Sequence, residues 1–380
     1  MAGLQAIQSK GIYHGLPVYP SEIKGLTAVI AGASGISGTY MLKVLAEAPE
    51  RIFHRLPLKR LSRNCGGVVQ AQCQARCRFF YAYVQPPKAQ GESRLWTNIE
   101  DMVNINMTLL NNFLDALPLA NAIPNRILLQ LGAKYYGVHL GPTTVPQEEN
   151  DPRVSLEPNF YYPQEDRLKE FCQKYNVHWN TTRPASIPGA VPDAAMNLCL
   201  PLAIYASVQS IWMNSCLAEW LVLTNKTKNE SFNSSDGSAF TWGKFWPKMA
   251  EWFGVEYRHP DTSSDAKYDE EPTPFDPPPG GFGSHAIMRT RFRLAEWAKR
   301  PEVSHAWREI AEKHCLIEKE LQDPDRVFAF TDNSLMWSWP SNFSLTKLRK
   351  YGFHGYVDTS ESIQEVFREF VNLKMIPPFE

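Results

Sequence analysis

The hydrophobic pattern becomes regular at Leu26-Thr27-Ala28-Val29-Ile30-Ala31, a short apolar run with β-branched residues. Glycines follow it, then helix formers through Met41-Leu42-Lys43-Val44-Leu45-Ala46, until Pro49 stops the helix. This predicts strand, tight turn, helix. A second strand is expected within Arg55 to Leu61, where Pro57 and several basic residues interrupt the pattern. Phe79 to Val84 reads as a buried strand. A helix follows over Ile99 to Leu117, because Met102, Ile105, Leu109, Leu110, Phe113 and Leu114 recur at helical spacing, and Arg126 to Leu131 is the next strand. Strands alternating with helices require right-handed crossovers, which gives an α/β fold with a Rossmann-type, doubly wound parallel sheet.

After Pro188 the alternation weakens. A helix is expected around Met196 to Leu221, a turn at Asp236-Gly237 and an amphipathic helix over Trp242 to Phe253. Further helices are expected at Ser304 to Leu321 and Ser360 to Leu373, with a Tyr351-Gly352-Phe353 turn between them. The stretch from His259 to Gly283 holds Asp269-Glu270-Glu271 and Pro277-Pro278-Pro279-Gly280-Gly281, and reads as a long surface loop or lid. The layout is an N-terminal extension over 1–24, a Rossmann domain over 25–190, and a smaller mixed α/β portion with C-terminal helices over 191–380.

Composition narrows the partners. Of 380 residues, 43% are hydrophobic and 21% charged, enough to bury a large core. Lys and Arg number 39 against 40 Asp and Glu, and no dense basic run carries interleaved aromatics, so nucleic acid is not an expected partner. Met1 to Pro20 has no apolar segment of the kind a secretory signal needs. The longest apolar stretch, Leu198 to Val208, is interrupted by Pro201 and falls short of the ~20 residues that span a bilayer. A cytoplasmic protein without membrane contact is expected, with a homodimer left open as its assembly. The seven cysteines are scattered, which suits reduced thiols. Cys65, Cys73 and Cys77 form no CxxC pair and have no His at ligand spacing, so no metal is expected.

Gly32-Ala33-Ser34-Gly35-Ile36-Ser37-Gly38 spaces its glycines three apart, between the first strand and the first helix. Such a turn admits positive φ and lets a pyrophosphate approach backbone N–H groups at a helix N-terminus. Gly32, Ser34, Gly35, Ile36 and Gly38 are therefore candidate dinucleotide-binding residues; a purely structural glycine turn is the other reading. Ser62-Arg63 follows the expected second strand, where a basic side chain would accept the 2′-phosphate of NADP. Arg63 among Lys59 and Arg60 reads equally well as a solvated arginine.

Gln130-Leu131-Gly132-Ala133-Lys134-Tyr135-Tyr136-Gly137 and Asn159-Phe160-Tyr161-Tyr162-Pro163-Gln164-Glu165-Asp166 resemble two signature segments of the progesterone 5β-reductase/iridoid synthase-like reductases, atypical short-chain dehydrogenases/reductases. Arg183-Pro184-Ala185 and Phe232-Asn233-Ser234-Ser235-Asp236-Gly237 resemble two more. Gly15-Leu16-Pro17 and Gly243-Lys244-Phe245-Trp246-Pro247 point to a fungal member. The resemblance implies a catalytic tyrosine at Tyr161 and a lysine at Lys134, where spacing alone favours an aromatic core cluster of Phe160, Tyr161 and Tyr162. It also implies NADP(H) as cofactor, with Tyr81, Gln130, Ile187 and Met196 added to the cofactor contacts. The implied activity is NADPH-dependent reduction of a small apolar enone or ketone in secondary metabolism; a non-redox Rossmann protein with weakened cofactor binding is the alternative. The chain departs from the family pattern in three places. The segment between Arg63 and Phe79 is too short for the strand and helix the family places there, residues are missing after Tyr205, and Leu131 stands where a threonine is common.

Overall fold

The computed structural model describes residues 6–23, 25–47, 77–86, 98–185, 187, 189–191, 200–202, 212–261, 263 and 265–379. The expected strand at Arg55 to Leu61 lies outside them, as do most of Met196 to Ile211. The chain opens with a hairpin of β1 (Ile7–Lys10) and β2 (Tyr13–Pro17), turned at Gly11 with φ +55°. It then passes through β3 (Ala28–Ala31), α1 (Ile36–Glu47), β4 (Cys77–Phe80), α2 (Ile99–Leu119) and β5 (Arg126–Gln130). Next come α3 (Tyr161–Tyr175), β6 (His178–Pro184), α4 (Trp212–Leu223) and β7 (Glu230–Ser234).

Among the described residues, these five strands make one parallel sheet in the order β3-β4-β5-β6-β7. Successive side chains of β5 point to opposite faces, as strand geometry requires. Leu128 packs with Met41, Val44, Phe79 and Trp220 on the face covered by α1 and α4. Ile127 and Leu129 pack with Leu110, Leu114, Leu168 and Phe171 on the face covered by α2 and α3. A sheet buried on both sides explains why β5 reads as a continuous apolar run rather than an alternating one.

The predicted strand at Phe79 to Val84 begins two residues earlier and ends at Phe80. Arg78 hid its start: the guanidinium is buried but donates to the Ala122 carbonyl at 2.9 Å, so the charge is accommodated inside a strand.

Beyond the sheet lie α5 (Trp242–Trp252), a hairpin of β8 (Asp269–Pro272) and β9 (Ile287–Thr290), then α6 (Leu294–Ala298), α7 (Pro301–Lys313), α8 (Pro324–Leu335), α9 (Thr346–Lys350) and α10 (Thr359–Asn372). Phe245, Met249, Leu294, Phe328, Phe367 and Phe370 form a second core there. It is tied to the sheet layer at α1, where Tyr40 and Lys43 both bond the Glu369 carboxylate, at 2.6 and 2.7 Å. The 259–283 stretch is not wholly a loop, since Asp269-Glu270-Glu271 pairs with Met288 to Thr290. The helix expected at Ser304 to Leu321 runs from Pro301 to Lys313, with Pro301 in its first turn, where a missing N–H costs nothing.

Candidate functional site

The glycine turn sits at the C-terminal edge of the sheet. Gly32 has φ +82°, and a Cβ there would come within 2.7 Å of the Ala82 backbone nitrogen, so both its conformation and its neighbour require glycine. Gly38 is fixed by packing: a Cβ would fall 2.2 Å from the Gly32 carbonyl oxygen. Gly35 differs. It is exposed beside Ser34, and a Cβ would meet only the Gly32 oxygen at 3.5 Å, an ordinary contact. Among the described residues nothing demands glycine at 35, and the space before it is open. Nearby, Tyr81 follows β4 with its hydroxyl buried and without a hydrogen-bond partner among the described residues, and burial pushes that phenol up. An unsatisfied buried polar group beside an open turn fits a bound polar molecule. Half-buried Ile36 begins α1, and half-buried Ile187 lies just past β6. Ser62, Arg63 and Met196 lie outside the described residues. Gln130 ends β5 with both sides of its amide engaged: its nitrogen donates to Ser37 Oγ at 2.8 Å and its oxygen accepts from Asn214 at 3.0 Å.

Lys134 and Tyr161 are brought to the same end of the sheet. Lys134 lies in a 3-10 turn, Ala133–Tyr136, that leaves β5 through Gly132 and closes at Gly137 with φ +73°. Tyr161 opens α3. Asn159 joins the two: its side-chain nitrogen donates to the Lys134 carbonyl at 2.9 Å, and its oxygen accepts from the Tyr161 backbone N–H at 3.0 Å. The Tyr161 phenol lies over Gly132, where a Cβ would be 2.7 Å from the hydroxyl oxygen. Its ring packs on Phe160 with centroids 4.4 Å apart, and no described residue hydrogen-bonds its hydroxyl. Thus the ring is packed and the hydroxyl is left over.

Burial raises the Tyr161 phenol above its ordinary value and lowers the Lys134 ammonium well below its own. Glu157 opposes the second effect without cancelling it. The Glu157 carboxylate is itself bonded to His139 at 2.8 Å; burial lowers that imidazole, and Lys134 adds to the lowering. Gly132 and Asn159 stand within the two segments that carry the resemblance, but their sequence assigned them no role, and His139 and Glu157 had no signal at all. Next to them, buried Glu165 binds Arg153 and Arg183 at 2.9 and 3.4 Å. Burial raises its carboxyl, and the surrounding cations more than offset this, so it stays ionised. Arg183 stacks on Tyr135 at 3.5 Å, which fixes the turn bearing Lys134.

No model of a known protein family matches the chain. Curated relatives do. Short chain dehydrogenase gsfE of Penicillium aethiopicum is 25% identical over 407 positions, covering 92% of this chain and 99% of its own. A (S)-8-oxocitronellyl enol synthase of Catharanthus roseus is 26% identical, covering 74% of this chain and 72% of its own. The 3-oxo-Delta(4,5)-steroid 5-beta-reductase of Arabidopsis thaliana is 28% identical, covering 74% and 73%. The chain is similar to the progesterone 5β-reductase/iridoid synthase-like short-chain dehydrogenases/reductases over most of its length. The relatives named dehydrogenase and reductase place it among the oxidoreductases. Among solved structures, RMD from Pseudomonas aeruginosa complexed with NADPH overlays 61% of this chain and 85% of its own, at 13% identity and a TM-score of 0.45. The 407 positions aligned with the Penicillium relative exceed the 380 residues of this chain, so the chain lacks residues that its relative has. Among the described residues, no cluster of His, Cys, Asp and Glu could hold a metal, and no helix is long and apolar enough to cross a membrane.

Proposed function

We propose that the chain is an NADPH-dependent reductase of a small carbonyl-conjugated substrate, acting on the C=C bond of an enone or on the carbonyl itself, in secondary metabolism. The observation that carries this reading is the Tyr161 hydroxyl, left without a described partner over Gly132 and tied through Asn159 to the turn of Lys134. The relatives named for 8-oxocitronellyl and 3-oxo-Delta(4,5)-steroid compounds support an oxygen-bearing, conjugated substrate. The exposed Gly35 and the unsatisfied Tyr81 hydroxyl support a dinucleotide in the turn, held by Gly32, Ser34, Gly35, Ile36 and Gly38, with Tyr81, Gln130 and Ile187 around it; the resemblance adds Met196. Arg63 receives the 2′-phosphate.

The nicotinamide supplies hydride when bound. Tyr161 stays protonated through neutral pH because burial raises it, so its hydroxyl can donate to the substrate oxygen as negative charge grows there. Lys134 would tune Tyr161 and contact the cofactor ribose, where Glu157 partly offsets the effect of burial on its ammonium. Asn159 holds the two residues in one geometry.

Two measurements test the reading. Titrated by tryptophan fluorescence, the protein should bind NADPH more tightly than NADH, and Arg63→Ala should narrow the gap. Equal affinities in the parent remove the NADP assignment; no binding of either moves the chain to the non-redox alternative. Turnover of a conjugated enone with NADPH should fall ~10²- to 10³-fold in Tyr161→Phe at an unchanged melting temperature. Lys134→Met acts through the same hydroxyl, so the double variant should lose far less than the two single losses combined. Full activity in Tyr161→Phe would overturn the catalytic assignment.

A further inference from the structure

A line of hydrogen bonds runs from the far strand of the sheet to the glycine turn. Ser234 Oγ, at the end of β7, donates to Asn214 Oδ1 on α4 at 2.7 Å. Asn214 Nδ2 donates to Gln130 Oε1 at 3.0 Å, and Gln130 Nε2 donates to Ser37 Oγ at 2.8 Å. All three donors point the same way. Each amide has one neighbour that takes its N–H and one that supplies a proton to its oxygen, so reversing one amide forces the other to reverse too. As the line stands, Ser37 accepts from Gln130, and no described residue accepts the proton of Ser37. A hydroxyl that accepts one hydrogen bond is polarised into a better donor. Ser37 is only 8% exposed, sits in the first turn of α1, and lies two residues past Gly35, where the fold leaves space.

We propose that the Ser37 hydroxyl donates to a phosphate oxygen of the dinucleotide, and that Gln130, Asn214 and Ser234 are positioning residues that keep its proton turned outward. This rests on the dinucleotide reading of the turn. A phosphate oxygen is the matching acceptor because it has lone pairs and no proton, and because the free N–H groups of the same helix end favour an anion. Both ends of the Gln130 amide are engaged in the relay, so Gln130 serves the cofactor through Ser37.

The polarity of the line makes the proposal testable. Asn214→Asp cannot donate, so Gln130 should turn its nitrogen to the new carboxylate and its oxygen to Ser37, drawing the Ser37 proton inward. Affinities for NADPH, NADH and adenosine 2′-monophosphate, which lacks the pyrophosphate, would be measured for the parent, Ser37→Ala, Asn214→Asp and the double variant, with melting temperatures. A hydrogen bond to a charged group is worth about tenfold or more in affinity. Ser37→Ala and Asn214→Asp should each weaken NADPH and NADH by about that factor and leave adenosine 2′-monophosphate unchanged, and the double variant should lose no more than either single. Unchanged dinucleotide affinity in Ser37→Ala overturns the proposal, as does an equal loss for adenosine 2′-monophosphate. Losses that multiply in the double variant show that Asn214→Asp acts by its charge and overturn the relay. A parent that binds neither dinucleotide overturns the cofactor reading itself, a result distinct from a parent that binds and a Ser37→Ala variant that binds equally well.

Discussion

At Tyr161 two readings of one side chain turn out to be compatible. The ring lies against Phe160 in the layer of α3, as an aromatic cluster would, while the hydroxyl stands over Gly132 at the sheet edge. Gly132 decides how closely the phenol approaches. Its φ of −179° is extended backbone open to any residue, so glycine is not needed there for conformation. It is needed for space, because an added Cβ would lie 2.7 Å from the hydroxyl and 3.4 Å from the ring carbon that bears it. Gly132→Ala should therefore leave the fold intact and push the phenol aside. Misplacing a catalytic group by about 1 Å costs roughly 10²-fold in rate, and that is the loss expected in enone turnover at a nearly unchanged melting temperature. Tyr161→Phe made in the Gly132→Ala background should then cost little more. A Gly132→Ala variant with parental turnover would show that the hydroxyl does not act where it stands.

The elements that were legible in the sequence are those whose burial imposes a period. β3, its turn and α1 were readable because an apolar run, glycines and helix formers follow in order, and α2 because its inward face repeats through Met102, Leu110 and Leu114. β8 was not, since its acidic Asp269-Glu270-Glu271 run shows no apolar alternation; it joins β9 by backbone pairing and by an ion pair of Glu270 with Arg289 at 2.7 Å. The N-terminal hairpin is too short and too polar to show a period. Lys134 and Tyr161 came from the resemblance; what joins them, Asn159 and Gly132, is visible only once β5 and α3 are adjacent. Within the turn, three glycines that look alike in sequence have different work, and this separates two substitutions. Gly38→Ala places a methyl 2.2 Å from the Gly32 carbonyl, so the helix must move off the turn; overpacking of this kind costs ~1–3 kcal/mol or more, and the melting temperature should fall. Gly35→Val meets no such obstacle and should remain folded while dinucleotide affinity is lost. Unchanged NADPH affinity in Gly35→Val would remove the phosphate-loop assignment, and an unchanged melting temperature in Gly38→Ala would contradict the packing.

Across the whole molecule, the first residues act as a strap. His14 and Tyr356 exchange backbone hydrogen bonds at 3.0 Å, Lys10 pairs with Glu47 at the end of α1, and Tyr19 donates to Glu219 of α4 at 3.1 Å. Glu219 is a link that should respond to pH. It is 6% exposed, its second carboxyl oxygen has no hydrogen-bond partner among the described residues, and burial raises its pKa to about 7 while the Tyr19 bond acts weakly the other way. A carboxyl raised in the folded state binds its proton more tightly there than in the unfolded chain. Its contribution to stability is thus complete below the ordinary value of 4.5 and is lost as pH rises through about 7. A rise of this size corresponds to ~3 kcal/mol between pH 5 and pH 8. Glu219→Gln keeps an acceptor for Tyr19 and removes the titration, so the variant should be no more stable than the parent at pH 5 and clearly more stable at pH 8. Urea unfolding at pH 5, 6, 7 and 8 for both proteins measures this as a difference in slope against pH. Parallel slopes would mean that Glu219 keeps one charge state throughout the range, and the strap would then hold α4 independently of pH.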